Sequence, residues 1–567
     1  MKRINLNLDT VEKAPIVDMR HALKTTLMAY HRWDNEEMDA MPNDVIKGLV
    51  TSALMQERFT KINPILLADS YKSSHWKQYP PGAKGYFGYI EARKPAKSEE
   101  RRIENMLLDM LKQHWTKAIT EKDIENIKDR LREKRHFDEA VFFGLQIFIK
   151  KVLLRPITIE DVNYAEEFLT SHGEPFNRAG WEYIVKKHNG YIPIRIKAVP
   201  EGLVVKEGNA LVTVESTDPE VFWVGGYLET MLLRAVWYGT TVATISREAK
   251  KIILKYLNMT SDDPRALLMF KLHDFGGRGV SSSESAGIGG CAHLVNFMGS
   301  DTLEGVLFAR LFYGEKMAAF SIPAAEHSTI TSWGRVNEVK AFENMVDLFG
   351  KPGAIFAVVS DSYDIENACE FLWGEKLREK VIKSGATLVV RPDSGEPAPT
   401  VLRCLQLLES KFGVTINKKG YKVLNYVRII QGDGINLESI AEICQVIVDN
   451  GYSLDNVNFG MGGALLQHMN RDTLRFAMKM SAILIDGVWH DVSKSPIGDP
   501  MKKSKGGRLM LYQYLGKGGN TEHITLREGD LPKGEEGKYT EALFTVYEDG
   551  KLIQDQTLFA IRNRAQL

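Results

Sequence analysis

From about residue 265 onward one pattern recurs six times, and it constrains the fold more than any other feature. A short apolar run ends in Gly, Asp, His or Arg, and a helical pattern often follows. The runs are Leu267–Leu272 before His-Asp-Phe-Gly, Phe320–Ile322 before Pro-Ala-Ala-Glu-His-Ser, and Ile355–Val359 before Ser-Asp-Ser-Tyr-Asp. Thr387–Val390 before Arg-Pro-Asp-Ser-Gly, Val427–Ile430 before Gln-Gly-Asp-Gly, and Val457–Phe459 before Gly-Met-Gly-Gly complete the series. A spacing of about 30 to 50 residues predicts parallel strands with helical crossovers. Six consecutive units favour a barrel or near-barrel over a small open sheet, and a barrel carries its chemistry at the carboxyl ends of its strands. That rule gathers His273, Asp274, Arg278, Glu326, His327, Asp361, Arg391, Asp393, Asp433 and the Gly460–Gly463 loop on one rim.

Upstream the texture is different. Residues 192–214 alternate apolar and polar side chains between Gly turns and predict antiparallel strands, and residues 226–257 form a long helical pattern. The fold class expected is α/β: an irregular (β/α) barrel-like domain, with a second, mixed α+β domain built from N- and C-terminal segments. The boundaries read are 1–60, a helical extension; 61–230, mixed α+β with 481–567 contributing; 231–480, the barrel; and 481–567, a phosphate-contacting loop and polar, turn-rich strands.

Lys+Arg and Asp+Glu both number 73, so the global basic field of a nucleic-acid binder is missing. Anionic ligands then require local clusters. The four cysteines, Cys291, Cys369, Cys404 and Cys444, have no metal-ligand spacing. So few in a long chain, with no signal-like start and no apolar run of about 20 residues, predict a cytoplasmic protein that does not cross a membrane.

The last two units carry the clearest chemistry. Gln431-Gly432-Asp433-Gly434 and Gly460-Met461-Gly462-Gly463 are glycine loops in tandem, with a helical pattern from Ala464 to Lys479 directly after the second. Glycine lets backbone N–H groups approach a phosphate, and a barrel often holds phosphate after its last strands. Either loop alone reads equally well as a tight turn. Arg471 and Lys479, about two turns apart on that helix, with Lys494 and Lys502 beyond, suit a polyanion. At Arg391-Pro392-Asp393, a carboxylate suits a ribose diol or a phosphate-held metal, and an internal salt bridge is the competing reading. His327 shares the rim with Asp361, and a carboxylate on one ring nitrogen makes the other more nucleophilic. His273 and His293 are assigned to packing or support. Phe275, in Phe-Gly-Gly-Arg-Gly, reads equally as a stacking platform or a plug in the barrel mouth.

These motifs, with Asp69-Ser70-Tyr71-Lys72, Lys77-Gln78-Tyr79-Pro80-Pro81, Arg278–Ser282, Ala286–Gly289, Ala292–Phe297, Pro323–Thr331, Val358–Ile365 and Ser504-Lys505, resemble the nicotinamide phosphoribosyltransferases of the type II phosphoribosyltransferase fold group. The likeness runs from about Asn63 to the C-terminus and leaves residues 1–60 uncovered. It implies an enzyme that joins nicotinamide to phosphoribosyl pyrophosphate, with ATP as co-substrate and Mg²⁺ held mainly by polyphosphate; direct metal ligands are left unassigned. It also implies a homodimer with shared active sites, nicotinamide stacking between Phe275 and the partner subunit's Tyr71. Asp301 would accept the amide, with Arg278, Arg391, Ser321, Ile322, Ala324 and Val389 lining the pocket. Asp393, Gly432 and Asp433 would contact the sugar. Arg93, Gly462, Gly463, Arg471, Lys479, Lys494 and Lys502 would hold phosphates. His327 would accept the phosphoryl group of ATP and Asp361 would orient it. The alternatives are nicotinate as the acceptor, which Asp301 opposes, and a catalytically silent binding or signalling module. Gly277, Ala357, Met461 and Ala464 depart from the family pattern; Gly277 stands where a Tyr is common and predicts a wider pocket mouth.

Overall fold

The structure is a computed structural model that describes residues 42, 43, 46, 63–93, 137–494, 504–516 and 519–567. The helices expected over residues 1–60, and Lys502, lie outside them. The chain divides into two compact units.

The first unit takes residues 63–74 and Ile157–Glu182. Asn63 nucleates its opening turn: its side chain accepts from Ile65 N at 3.0 Å and donates to Asp161 O at 2.8 Å. Thr158 and Asp161 cap helix Ile159–Ser171 reciprocally, satisfying two otherwise orphaned N–H groups. Tyr71 belongs to this unit, exposed on the 3-10 segment Ser70–Lys77.

The second unit contains a parallel sheet whose strands we number β1 (Leu272–Asp274), β2 (Gly299–Ser300), β3 (Ile355–Val359), β4 (Thr387–Arg391), β5 (Val427–Gln431) and β6 (Val457–Met461). Their spatial order is β2-β1-β6-β5-β4-β3. The segment at 320–324 joins the two edges, because Phe320 bridges Gly299 in β2 and Ala324 bridges Ala357 in β3, both in parallel. Ser300 N donates to Phe320 O at 3.3 Å and Ala357 N to Pro323 O at 2.9 Å, so the sheet curls into a ring.

Several expectations need correction here. Phe320–Ile322 is an irregular tie between the edges rather than a strand, because Pro323 has no N–H to extend a ladder. The strand expected over Leu267–Leu272 starts only at Leu272, since Asp263 caps a helix over Pro264–Leu268, accepting from Ala266 N at 3.2 Å. The helix expected over Ala464–Lys479 is one turn, Gly463–Leu466. Asn470 then closes local turns, its side chain accepting from Asp472 N at 2.8 Å and its N–H donating to Thr473 Oγ1 at 3.0 Å. Arg475 has φ of 52°, which ends helical geometry outright. Arg471 therefore sits in a turn and Lys479 on strand Ala477–Ile485, not on a shared helical face. Residues 505–567 are strands as expected but finish in a helix, Leu558–Arg564, capped by Thr557.

Strand Ala477–Ile485 pairs with Ala83–Glu91 inside a seven-stranded antiparallel sheet that also takes Ala210–Ser216, Ile194–Ala198 and Phe544–Glu548. Distant parts of the chain thus share one sheet. Helix Glu229–Thr260 is buried along most of its length; its Thr240 and Thr244 hydroxyls accept from Phe143 N and Val141 N at 3.1 and 3.0 Å. No helix among the described residues is long and apolar enough to cross a membrane.

Candidate active site

Residues just beyond β3 and β4 build the first part of the rim. Asp361 Oδ2 accepts Asp393 N at 3.0 Å and Ser394 Oγ at 2.5 Å. Its other oxygen, Oδ1, lies 3.1 Å from His327 Nε2. The Asp361 side chain is only 3% exposed whereas that of His327 is 45% exposed. A buried carboxylate with its second oxygen occupied accepts the Nε2 proton, which leaves the lone pair on Nδ1 of an accessible imidazole. Nδ1 stands 3.9 Å from Asp393 Oδ2. Arg391 meets Asp393 through a single 3.4 Å contact, and its Nε is buried without an acceptor. The Arg391–Asp393 pair is therefore a loose one that leaves donor capacity for a ligand.

Inside the ring lies an apolar patch of Ala357, Val389 and Ile430, with Phe275 and Ile322 packed against it. Ala357 and Val389 face each other in register between β3 and β4. The Phe275 ring is pressed onto backbone: a Cβ built on Gly460 would come within 2.0 Å of it, and one on Gly432 within 3.2 Å. A Cβ on Gly432 would also lie 3.5 Å from Asp393 Oδ1. At one end of the ring, the Ser321 hydroxyl donates to Asp301 Oδ1. Arg278 is exposed on the short segment Gly277–Gly279, and Gly277 N donates to Thr302 Oγ1 at 3.1 Å. Ala324 is the residue that bridges Ala357.

On the phosphate side, Gly462 and Gly463 begin the one-turn helix, and Asp433 is exposed, its carbonyl accepting Gln431 Nε2 at 3.0 Å. The cations Arg93, Arg471 and Lys494 all act on Lys479. Burial lowers the Lys479 pKa; Arg93, Lys494 and Arg471 lower it further, while Glu229 opposes them. Lys494 N is anchored by Ser504 Oγ at 3.0 Å, and Lys505 pairs with Glu91. A lysine whose charge is opposed by burial and by neighbouring cations gains from an anion brought beside it.

Two further histidines, His293 and His273, make contacts within the fold. His293 is fully buried between Ser246 Oγ at 3.0 Å and Gly299 O at 3.2 Å, and burial pushes its pKa down to about 3. His273 Nε2 contacts Phe270 O at 3.1 Å, and burial lowers its pKa too. Sequence reasoning missed Ile430 and Ser394, and it did not see that Gly460 serves the Phe275 ring. Period-two alternation along β5, which puts Ile430 on the opposite face from Ile429, was the available signal for the first.

A curled parallel sheet with an aromatic slot, a carboxylate-held histidine and a cation cluster defines a phosphate-handling α/β transferase of the barrel type. Comparison with known proteins narrows this. The sequence model of the nicotinate phosphoribosyltransferase (NAPRTase) family matches residues 270–550, and that of the nicotinamide phosphoribosyltransferase N-terminal domain matches residues 63–134 and 130–196. A nicotinamide phosphoribosyltransferase of Xanthomonas campestris pv. campestris is 50% identical over 89% of this chain and 98% of its own. One from Acinetobacter baylyi is 31% identical over 89% of this chain and 97% of its own. Among solved structures, human nicotinic acid phosphoribosyltransferase shares the fold with a TM-score of 0.53 at 16% identity, over 88% of this chain and 93% of its own. The chain belongs to the nicotinamide phosphoribosyltransferase family.

Proposed function

We propose that the protein forms nicotinamide mononucleotide and pyrophosphate from nicotinamide and phosphoribosyl pyrophosphate, and that ATP drives the reaction through a phosphorylated His327. The observation that carries the reading is the pairing, on one ring of strands, of an apolar slot ending at Asp301 with the His327–Asp361 contact.

In this reading the pyridine ring lies on Phe275, against Ile322, Val389 and Ile430. Its amide N–H donates to Asp301, which the Ser321 hydroxyl orients. A carboxylate in place of the amide would face Asp301 as a like charge, so nicotinate is disfavoured. Arg278 and Arg391 border the ligand, and Asp393, Gly432 and Asp433 take the ribose. Arg93, Arg471, Lys479, Lys494 and Lys502, with the Gly462 and Gly463 amides, hold the phosphates. The bond from the ribose carbon to pyrophosphate breaks as the ring nitrogen attacks that carbon. The departing oxygen gains negative charge, which the cations stabilise without reorganisation. His327 Nδ1 attacks the terminal phosphorus of ATP, ADP leaves, and Asp361 holds the Nε2 proton as the ring becomes positive.

No cluster of three or more His, Cys, Asp or Glu side chains among the described residues is arranged to hold a metal. The chemistry of the set, scattered carboxylates beside cations, fits a Mg²⁺ held mainly by the polyphosphates, whose charge it would neutralise; Asp393 and Asp433 are the carboxylates that would be at hand to hold it. Support for a homodimer with shared sites comes from Leu303, Leu307 and Leu311, which are 76%, 50% and 59% exposed and form one stripe beginning two residues after Asp301. In that assembly the partner subunit's Tyr71 covers the second face of the pyridine.

The test is mononucleotide formation from nicotinamide and from nicotinate, with ribose donor and Mg²⁺, with and without ATP. Faster use of nicotinamide and stimulation by ATP are expected. Preference for nicotinate would remove the role given to Asp301, and no product from either would favour a binding module.

A further inference from the structure

A second carboxylate stands behind Asp301, and the transfer chemistry above makes no use of it. Asp274 ends β1 and is fully buried. Its main-chain oxygen accepts Asp301 N at 3.0 Å. Its Oδ1 accepts Gly276 N at 2.7 Å, which fixes the turn immediately after Phe275. In the ladder it faces Ser300 of β2 on one side and Met461 of β6 on the other. The stacking residue, the amide-reading carboxylate and the second glycine loop therefore all attach to this one position.

Its remaining oxygen, Oδ2, is buried beside Thr302 and makes no close hydrogen bond. Around it, the segment after β2 contributes Asp301, Thr302 and Glu304, and helix Glu229–Thr260 contributes Tyr238. His273 is its neighbour on β1. Burial foremost, with Asp301 and Glu304 adding to it, pushes the Asp274 carboxyl up to about 6, while Gly276 N–H and Thr302 oppose the shift. At neutral pH the group is mostly ionised, and below that range it becomes neutral.

We propose that Asp274 is a specificity-determining residue that acts through Asp301: its buried negative charge adds to the field at the amide end of the pocket and strengthens the rejection of a carboxylate ligand. The inference rests on the reading that Asp301 receives the nicotinamide amide. A charge inside the protein is screened far less than one at the surface, so it is felt at the pocket end without touching the ligand. A neutral amide that donates N–H gains from such a field, and an anion loses. Asp274→Asn keeps an oxygen for Gly276 N–H and removes only the charge.

The experiment compares kcat/KM for nicotinamide and nicotinate in the full chain, with ribose donor, Mg²⁺ and ATP, from pH 5.5 to 8. In the wild-type protein the nicotinamide-to-nicotinate ratio should rise with pH through an inflection near 6. In Asp274→Asn the ratio at pH 7.5 should fall about tenfold and lose the inflection, chiefly through improved use of nicotinate. A merely structural role would weaken both substrates together and leave the ratio in place, which would overturn the inference. Should the variant fail to fold, the wild-type profile decides alone, because a flat ratio across this range overturns the proposal. A wild-type enzyme that prefers nicotinate at every pH would instead remove the Asp301 reading on which the inference stands.

Discussion

The Phe275 ring lies against Gly460 so closely that a Cβ at position 460 would be 2.0 Å from a ring carbon. No rotation of a methyl relieves such an overlap, so the ring must move. Gly460→Ala should raise KM for nicotinamide by about tenfold or more and cost roughly 1–3 kcal/mol of stability through overpacking. Gly432→Ala provides the control, since its Cβ would stand 3.2 Å from the same ring and needs only a small adjustment. Steady-state kinetics and chemical denaturation of the two variants should therefore separate. Equal effects on nicotinamide KM would mean that ring placement is not what Gly460 secures.

The contact between His327 Nε2 and Asp361 Oδ1 at 3.1 Å makes Asp361 an orienting group whose other oxygen is already used by Asp393 N and Ser394 Oγ. Asp361→Asn should slow the appearance of ATP-derived label on the protein by about 100-fold, with little change in KM for nicotinamide. His327→Ala should abolish the label. Acid-labile phosphate transferred from γ-labelled ATP is the measurement, and label surviving in His327→Ala at wild-type level would place the acceptor elsewhere.

Much of this site was legible because strand ends punctuate the sequence. Asp361, Arg391 and Gly432 each follow an apolar run, and the barrel rule brings them together without knowledge of a contact. What pattern alone does not resolve is ring closure. Gly299–Ser300 is two residues long and carries no alternation, while Phe320–Ile322 has the apolar character of a strand but makes only isolated bridges. Tertiary context overrides local pattern most clearly at Ala477–Ile485. Its apolar residues look continuous with the helix that starts at Gly463, yet Arg475 ends that geometry and Ala83–Glu91, nearly 400 residues away in sequence, supplies the hydrogen-bond partner. Periodicity thus puts Lys479 on the wrong element, although the strand still brings it near Arg93, Arg471 and Lys494.

Lys479 yields a prediction of its own. Burial and the fields of Arg93, Lys494 and Arg471 depress its pKa in the free protein. A bound polyphosphate reverses the unfavourable field, so binding the ribose donor above neutral pH should take up protons. Calorimetric titration in buffers of different ionisation enthalpy measures that uptake directly. Lys479→Met should reduce it and raise KM for the ribose donor by about tenfold, roughly the loss of one charge-assisted contact. Unchanged proton uptake in Lys479→Met would exclude this lysine from the polyphosphate site.

His293 sets a pH limit on the fold rather than on the chemistry. It is fully buried, stacked on Phe297 with ring centroids 5.3 Å apart, and its pKa is pushed down to about 3 by burial. In the unfolded chain an ordinary histidine protonates near 6.5. Between those two values the unfolded state binds the proton that the folded state refuses, so stability must rise with pH there and fall as pH is lowered. The stabilising contribution is complete above the unfolded value and is lost progressively on descent toward the folded one. From pH 6.5 to 5 this single group should remove about 2 kcal/mol. Urea denaturation of the wild-type protein at pH 7.5, 6.5, 5.5 and 5.0 should show the decline, and His293→Gln, which keeps a polar group for Ser246 or Gly299 without a titrating ring, should flatten it. An identical slope in the variant would assign the acid sensitivity to other groups.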